Sequence, residues 1–447
     1  MIPLAPAVAP ALALALASGA TVPQHPLHAA SPPSGGPSAP VAHAGTPRGA
    51  PGSPAAALAA ARPGDTIRVA AGRHAGPLLI DRPVVLLAEP GAILDGGGTG
   101  TVVTIAADSV VLRGFTIVGS GRSLDGDEAA VRVIRCRGCV VADNAIARSL
   151  HGIYLHQTVD AVVARNRIDG DASLSEGRRG NGVHLFHSTG SRIERNRIRA
   201  TRDGIYFSFA SGNTVVGNDV EGVRYGLHYM YSDANRFHGN RFRRNAAGAA
   251  IMFSRDIVLR ENTFADHIGH RAFGILLQSA EAVTVERNRF EGNRIGIFLD
   301  MTAGATFREN LVAGNGVGVE LLSSAESNTF TGNAFLANRI AVRVPVGAGE
   351  NRWSAEGRGN YWGDPAVFDL DGDGIGDRPY RASDPFAALA ASRPALEVFV
   401  GTPAARALSW AERAFPVFRL PAAEDPHPLA HPPAGVPAPA PRRRRRP

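Results

Sequence analysis

The chain has no lysine, two cysteines and four methionines among 447 residues. Its fixed positive charge is therefore all arginine, and five of the seven net charges are the terminal run Arg442 to Arg446. Without that run the balance is near neutral, so no nucleic-acid partner is expected. The cysteines form one close pair, Cys136 and Cys139 in "CRGC". In an exported protein such a pair is a disulfide, a redox pair or a metal clamp. It lacks the βαβ surroundings of a thioredoxin site, which argues against redox catalysis. A structural pair, bridged or reduced, and a copper clamp both stay open. Long apolar runs are also missing. "MIPLAPAVAPALALALASGA" is too short and too Pro-rich for a good membrane span, and no later segment comes close. The mature protein is expected to be soluble.

Residues 1–20 read instead as an export signal, with Ser18 and Ala20 at the −3 and −1 positions of a signal-peptidase site. Residues 21–52, rich in Pro, Ser, Gly and His, read as a disordered leader, and 426–447 as a disordered Pro/Arg tail. From residue 53 the chain changes character. "SPAAALAAARPGDTIRV" reads as a short capped helix, then Pro-Gly, then a strand, fit to close one end of a stack.

Beyond this opening the chain is repetitive. Asn144, Asn166, Asn196, Asn218, Asn240, Asn262, Asn288, Asn310 and Asn333 lie mostly 22 residues apart. Glycine usually comes eight residues later, as at Gly152, Gly204, Gly226 and Gly248. A fixed period with short β-branched strands means a solenoid, and this one fits a coil of a parallel β-helix over 53–350. Asparagine suits the corner because it tolerates the left-handed conformation, and its amide can bond the same residue in the next coil.

The period also sets the register. After each glycine the first and third residues are apolar, as in Ile153 and Leu155 or Leu227 and Tyr229, and point inward. The second and fourth must point outward. The second column reads Tyr154, His184, Tyr206, His228, Ala250, and the fourth His156, Phe186, Ser208, Met230, Met252. His228 and Met230 thus share one outer face, with Met252 one coil on, roughly 4.8 Å along the stack. Imidazole and thioether together are ligands that Cu(I) prefers over hard cations. The plainer reading packs the methionines under a loop and leaves His228 capping a backbone group. Three longer connections, 119–129, 170–180 and 267–271, leave the stack at one corner and would wall this face. The last carries His267 and His270, which are either further ligands or ordinary loop histidines.

Beyond the coils, "GNYWGDPAVFDLDGDGIGDRPYR" (within 351–382) forms an end cap. Asp369, Asp371, Asp373 and Asp377, with the Ile375 carbonyl, occupy positions of a calcium-loop pattern. The Glu that would complete an EF-hand is replaced by Tyr380. Either Ca2+ or a turn bonded by its own aspartates fits. Trp353, Tyr361 and Trp362 are expected to close the apolar end of the stack. In 383–425, "TPAARALSWAERAFPVF" reads as a helix capped by Thr402, with Pro403 in its first turn and Ala407, Leu408, Ala411 and Ala414 on one face.

The stretches "YGLHYMYSDANRFHGNRFRRNAAGAAIMFSRD", "GNYWGDPAVFDLDGDGIGDRPYR" and "SDPFAAL…FPVFRLPAAEDPHPL" carry a resemblance. Over roughly 55–425 the chain resembles the NosD family of periplasmic copper-handling accessory proteins. That resemblance implies a right-handed parallel β-helix and no enzyme. It implies a protein held at the inner membrane through an ABC transporter, working with a copper-chaperone lipoprotein, that delivers copper to apo nitrous oxide reductase. The 383–425 segment would then either fold back over the last coils or dock onto the transporter. Two competing classes remain. One is a protein-docking scaffold without metal. A polysaccharide lyase or epimerase would need acidic groups on one face, and the outward columns offer Asp300 and Glu320 with little else acidic nearby.

Overall fold

A computed structural model describes residues 53–436 except 270–271, 346, 348, 364–366, 383–393, 400–401 and 415–421. The expected signal segment, the leader, His270 and the arginine run lie outside the described residues. The chain winds into a parallel β-helix, with three parallel sheets of twelve strands each. Every coil gives one strand to each sheet. The third sheet carries the candidate face, and includes Asp203–Ser208, Tyr225–Met230, Ala247–Arg255 and Phe273–Glu281 in neighbouring coils.

The alternation expected from sequence sets this arrangement. Ile153, Leu155, Ile205, Phe207, Leu227, Tyr229, Ile251 and Leu277 are all fully buried. Burying each such side chain contributes on the order of 2 kcal/mol, so the inward columns hold the coils against the cost of ordering them. The glycine column is a matter of space. A Cβ added at Gly226 would lie 2.6 Å from the Gly248 carbonyl oxygen of the next coil.

Side-chain amides lock the corners. The Oδ1 of Asn218 accepts from both the backbone N–H and Nδ2 of Asn196, each at 2.9 Å, and Asn240 serves Asn218 in the same way. The chain of bonds runs from Asn144 through Asn333 to Asn360. A second ladder occupies the next corner, through Asn245, Asn293, Asn315 and Asn338. His267 stands in this ladder, between Asn245 and Asn293. Its Nδ1 accepts the Asn245 N–H at 3.2 Å, and its own N–H goes to Asn293 Oδ1 at 3.1 Å. It is fully buried. The expectation that His267 is a loop histidine or metal ligand is therefore corrected. Its Nδ1 stands where an asparagine Oδ1 would, so the side chain is spent on the corner.

The ends are closed as expected. Ser53 Oγ caps the helix Pro54–Ala60, which packs on the first coil. At the other end Trp353 stacks on Phe330, and Trp362 on Phe335, with centroids 4.4 and 4.6 Å apart. Tyr361 sits half-buried beside them, bridged to Ala334. One boundary differs from expectation. Residues 426–436 are not all free tail, because the chain returns to the stack. Asp425 takes the asparagine position after Asn360, accepting its N–H at 2.7 Å and Trp362 Nε1 at 2.9 Å. Leu429 then bridges to Ile375. A buried Asp at the ladder's end satisfies amide groups that would otherwise be orphaned.

Burial pushes the His267 imidazole down to about 4 from its ordinary 6.5. The folded protein then binds fewer protons than the unfolded chain between those values. Its stabilising share is present above about pH 6.5 and lost as pH falls toward 4, up to about 3 kcal/mol. His267→Asn should restore an all-amide ladder. Urea unfolding is expected to show a smaller loss of stability between pH 7 and 4.5 than wild type, with little change at pH 7. An equal pH dependence in both proteins would contradict this assignment.

Candidate metal-binding face

The Tyr225–Met230 strand pairs in register with Ala247–Arg255, so Met230 lies directly beside Met252 and His228 beside Ala250. The two thioethers and the imidazole share the outer surface of the third sheet. All three are half-buried rather than sealed. Met252 also packs against an outer apolar cluster with Ala250, Phe273 and Leu276, so part of its role is packing.

Sequence reasoning missed the group that orients His228. Asp203, at the start of the strand one coil earlier, is fully buried. Its carboxylate accepts from Arg224 Nε at 2.9 Å and Nη2 at 2.7 Å, and it lies 2.9 Å from His228 Nδ1. Burial raises the carboxyl's pKa, but the hydrogen bonds from His228 and Arg224 outweigh it and hold it below its ordinary value. Tyr206 meets the imidazole edge-on at 4.8 Å and Tyr225 tilts against it at 4.9 Å. The ring is gripped on several sides.

Two of the insertions expected to wall this face are joined to each other, in coils before the one that carries His228. All three leave between the second and third sheets. Arg122 of the first reaches Asp171 of the second with a 2.7 Å ion pair, and Asp171 also accepts from Ser173. Beneath them lie His151, Tyr154, His156 and His184. Burial, with help from Arg202, pushes His151 down to about 4 and His184 well below the ordinary range. These imidazoles are uncharged at neutral pH. Both His184 nitrogens are buried without a partner among the described residues.

The adjoining corner carries a second feature that the sequence pattern did not reveal. His187, Phe209, Tyr231 and Phe253 stack in consecutive coils, centroids 5.1 to 5.2 Å apart and nearly parallel. Each has a positive φ of about 50°, which is costly for bulky residues. Phe209, Tyr231 and Phe253 are 48, 46 and 42% exposed, so this corner is not built for burial. Met301 stands in the same column two coils on. All three internal methionines therefore lie on this side of the protein.

Comparison with known proteins places this face in context. The model of the family described as "Periplasmic copper-binding protein (NosD)" matches residues 165–367, which include His228, Met230 and Met252. A Pseudomonas aeruginosa protein named "Probable ABC transporter binding protein NosD" is 42% identical over 386 residues, covering 83% of this chain and 89% of the relative. One of the same name from Stutzerimonas stutzeri is 36% identical, covering 81% and 86%. The chain belongs to the NosD family. Among solved structures, the A-module of mannuronan C-5 epimerase AlgE6 from Azotobacter vinelandii aligns with a TM-score of 0.57 at 13% identity, over 67% of this chain and 92% of the module. The A-module of AlgE4 from the same organism gives 0.54 at 13%, over 66% and 92%. At that identity the likeness is one of fold, the NosD chain sharing the β-helix with those enzymes.

The remaining candidates of this NosD-family chain sit elsewhere. Cys136 and Cys139 are joined as a disulfide and buried in the core at the corner after the third sheet. The Asp369, Asp371 and Asp373 carboxylates come within 4.8 Å of one another. They are engaged as turn acceptors: Asp369 takes the Gly372 and Gly374 N–H groups, Asp373 that of Ile375, and Asp377 that of Leu370. These bonds close the turn, and each carboxylate keeps lone pairs that a hard cation could use.

Proposed function

We propose that this protein holds copper as transient cargo in the periplasm, at the outer face of its third sheet. It would pass that copper on to apo nitrous oxide reductase, in concert with an inner-membrane ABC transporter and a copper-chaperone lipoprotein. The observation that carries the copper reading is the in-register pair Met230 and Met252 beside a carboxylate-held His228. Two thioethers and one imidazole form a neutral, soft donor set, which suits Cu(I) over Mg2+, Ca2+ or Mn2+. Half-burial suits a cargo that must leave again. Family membership supports the same cargo and the transporter.

Sugar chemistry fits this face less well. Asp300 is bonded by Gln278 and Ser324, and Glu320 by Arg343. The corner aromatics stack on one another, so their flat faces, the surfaces a sugar ring would use, are already covered. In a Cu(I) competition titration, His228→Ala with Met230→Ala should weaken binding by more than the ~10-fold expected from losing an outer-shell partner, with little change in melting temperature. Unchanged competition would remove the site.

For the transporter, the helix Pro403–Ala414 supplies the surface. Thr402 Oγ1 caps it by accepting from Ala405 N–H at 3.2 Å, as the sequence predicts. Leu408 and Trp410 are 44% and 69% exposed, leaving apolar surface uncovered on a helix that cannot extend a β-stack. Deleting the whole segment would also remove Asp425 from the ladder, so substitution is the cleaner test. Leu408→Glu with Trp410→Glu should abolish co-purification with the transporter while sparing copper binding and the melting temperature. Co-purification that survives both changes would contradict docking through this helix.

A further inference from the structure

We infer that Asp203 is a positioning residue, which fixes the tautomer of His228 so that Nε2 presents its lone pair on the outer face as the copper donor. The inference rests on the copper reading above for its role, but its geometry stands alone. Asp203 is fully buried, and both oxygens are engaged: Oδ1 by Arg224 Nε, Oδ2 by Arg224 Nη2 and His228 Nδ1, all at 2.7 to 2.9 Å. A guanidinium can only donate, so the oxygens facing it are acceptors, as an ionised carboxylate requires. The imidazole nitrogen that meets the same carboxylate must then carry a hydrogen. In a neutral ring the other nitrogen holds the lone pair. No hydrogen-bond partner reaches His228 Nε2 among the described residues.

This is the geometry by which a carboxylate behind a histidine orients the ring and makes it a better metal donor. Arg224 has a part of its own. It lies over the Tyr225 ring at 4.8 Å and anchors the carboxylate by its fork, so the carboxylate cannot swing out toward the metal itself. His184, one column member two coils earlier, shows the contrast. It pairs with Tyr206 across the sheet, yet among the described residues no carboxylate bonds either nitrogen. By this logic the outward imidazoles differ in kind, and His228 is the one prepared to bind.

Asp203→Asn tests the idea at nearly constant shape. The amide has one acceptor oxygen, which the Arg224 fork claims, and turns its NH2 toward His228 Nδ1. The imidazole proton should then move to Nε2 and remove the outward lone pair. The measurement is 15N NMR of histidine-labelled apo protein at about pH 8, above the ordinary imidazole range, with His228 assigned by its loss in His228→Ala. Wild type should show the Nδ1–H tautomer and Asp203→Asn the Nε2–H tautomer, with Cu(I) affinity lowered about 10- to 100-fold. A wild-type protein in the Nε2–H form overturns the inference directly, and does so even if the variant does not fold. If His228→Ala weakens copper binding but Asp203→Asn keeps both tautomer and affinity, Asp203 has no positioning role and the copper site stands. If His228→Ala leaves copper binding unchanged, the copper reading fails, and with it the role assigned to Asp203.

Discussion

Coil-on-coil register is the constraint on which everything else depends. The buried amide ladders enforce it. Each ladder oxygen accepts from the preceding coil's backbone N–H, and leaving such a buried group unpaired costs about 1–3 kcal/mol. A slip of one residue in a strand would also turn every inward side chain to the outside. The ladder therefore converts sequence spacing into spatial columns. Met230 meets Met252 because Asn240 meets Asn262 ten residues on, in the same pair of coils.

Given that register, the outer face of the third sheet is shaped by what leaves the stack and what stays. The insertions all depart at one corner, and the Arg122–Asp171 pair ties two of them together. On this sheet His151 is buried, while His184, Met230 and Met252 are half-buried. The opposite corner shows a row of exposed aromatics in left-handed conformation. A rigid sheet gives the soft donors fixed positions with access from outside. Asp203 supplies what columns alone cannot, since a column places an imidazole but does not choose which nitrogen faces out.

Much of this was legible in the sequence. The 22-residue spacing of Asn144 through Asn333 gave the coil, and the alternation after each glycine gave the inward and outward columns. The insertion corner was marked by where the spacing lengthened. Other features were hidden for physical reasons. Asp203 occupies a column that elsewhere holds His151, Asn181 and Tyr225, so no repeated residue type marked it. His267 looked like a loop histidine because the ladder it joins is built of asparagine. Its spacing of 22 from Asn245 was a usable signal, since imidazole Nδ1 can stand in for an amide oxygen. Met301 lies at a corner rather than in a strand column, which hid its place beside the other methionines. The return of 422–436 onto the stack depends on Asp425 matching an asparagine position 65 residues from Asn360, a pairing that no local pattern encodes.

The central claim is that Cu(I) sits between thioether and imidazole on this face. X-ray absorption of the protein loaded with one equivalent of Cu(I) tests it most directly. The account predicts a first shell of sulfur and nitrogen together, with the sulfur contribution reduced in Met252→Leu and the nitrogen contribution reduced in His228→Ala. A shell of nitrogen and oxygen alone, indifferent to both substitutions, would contradict it.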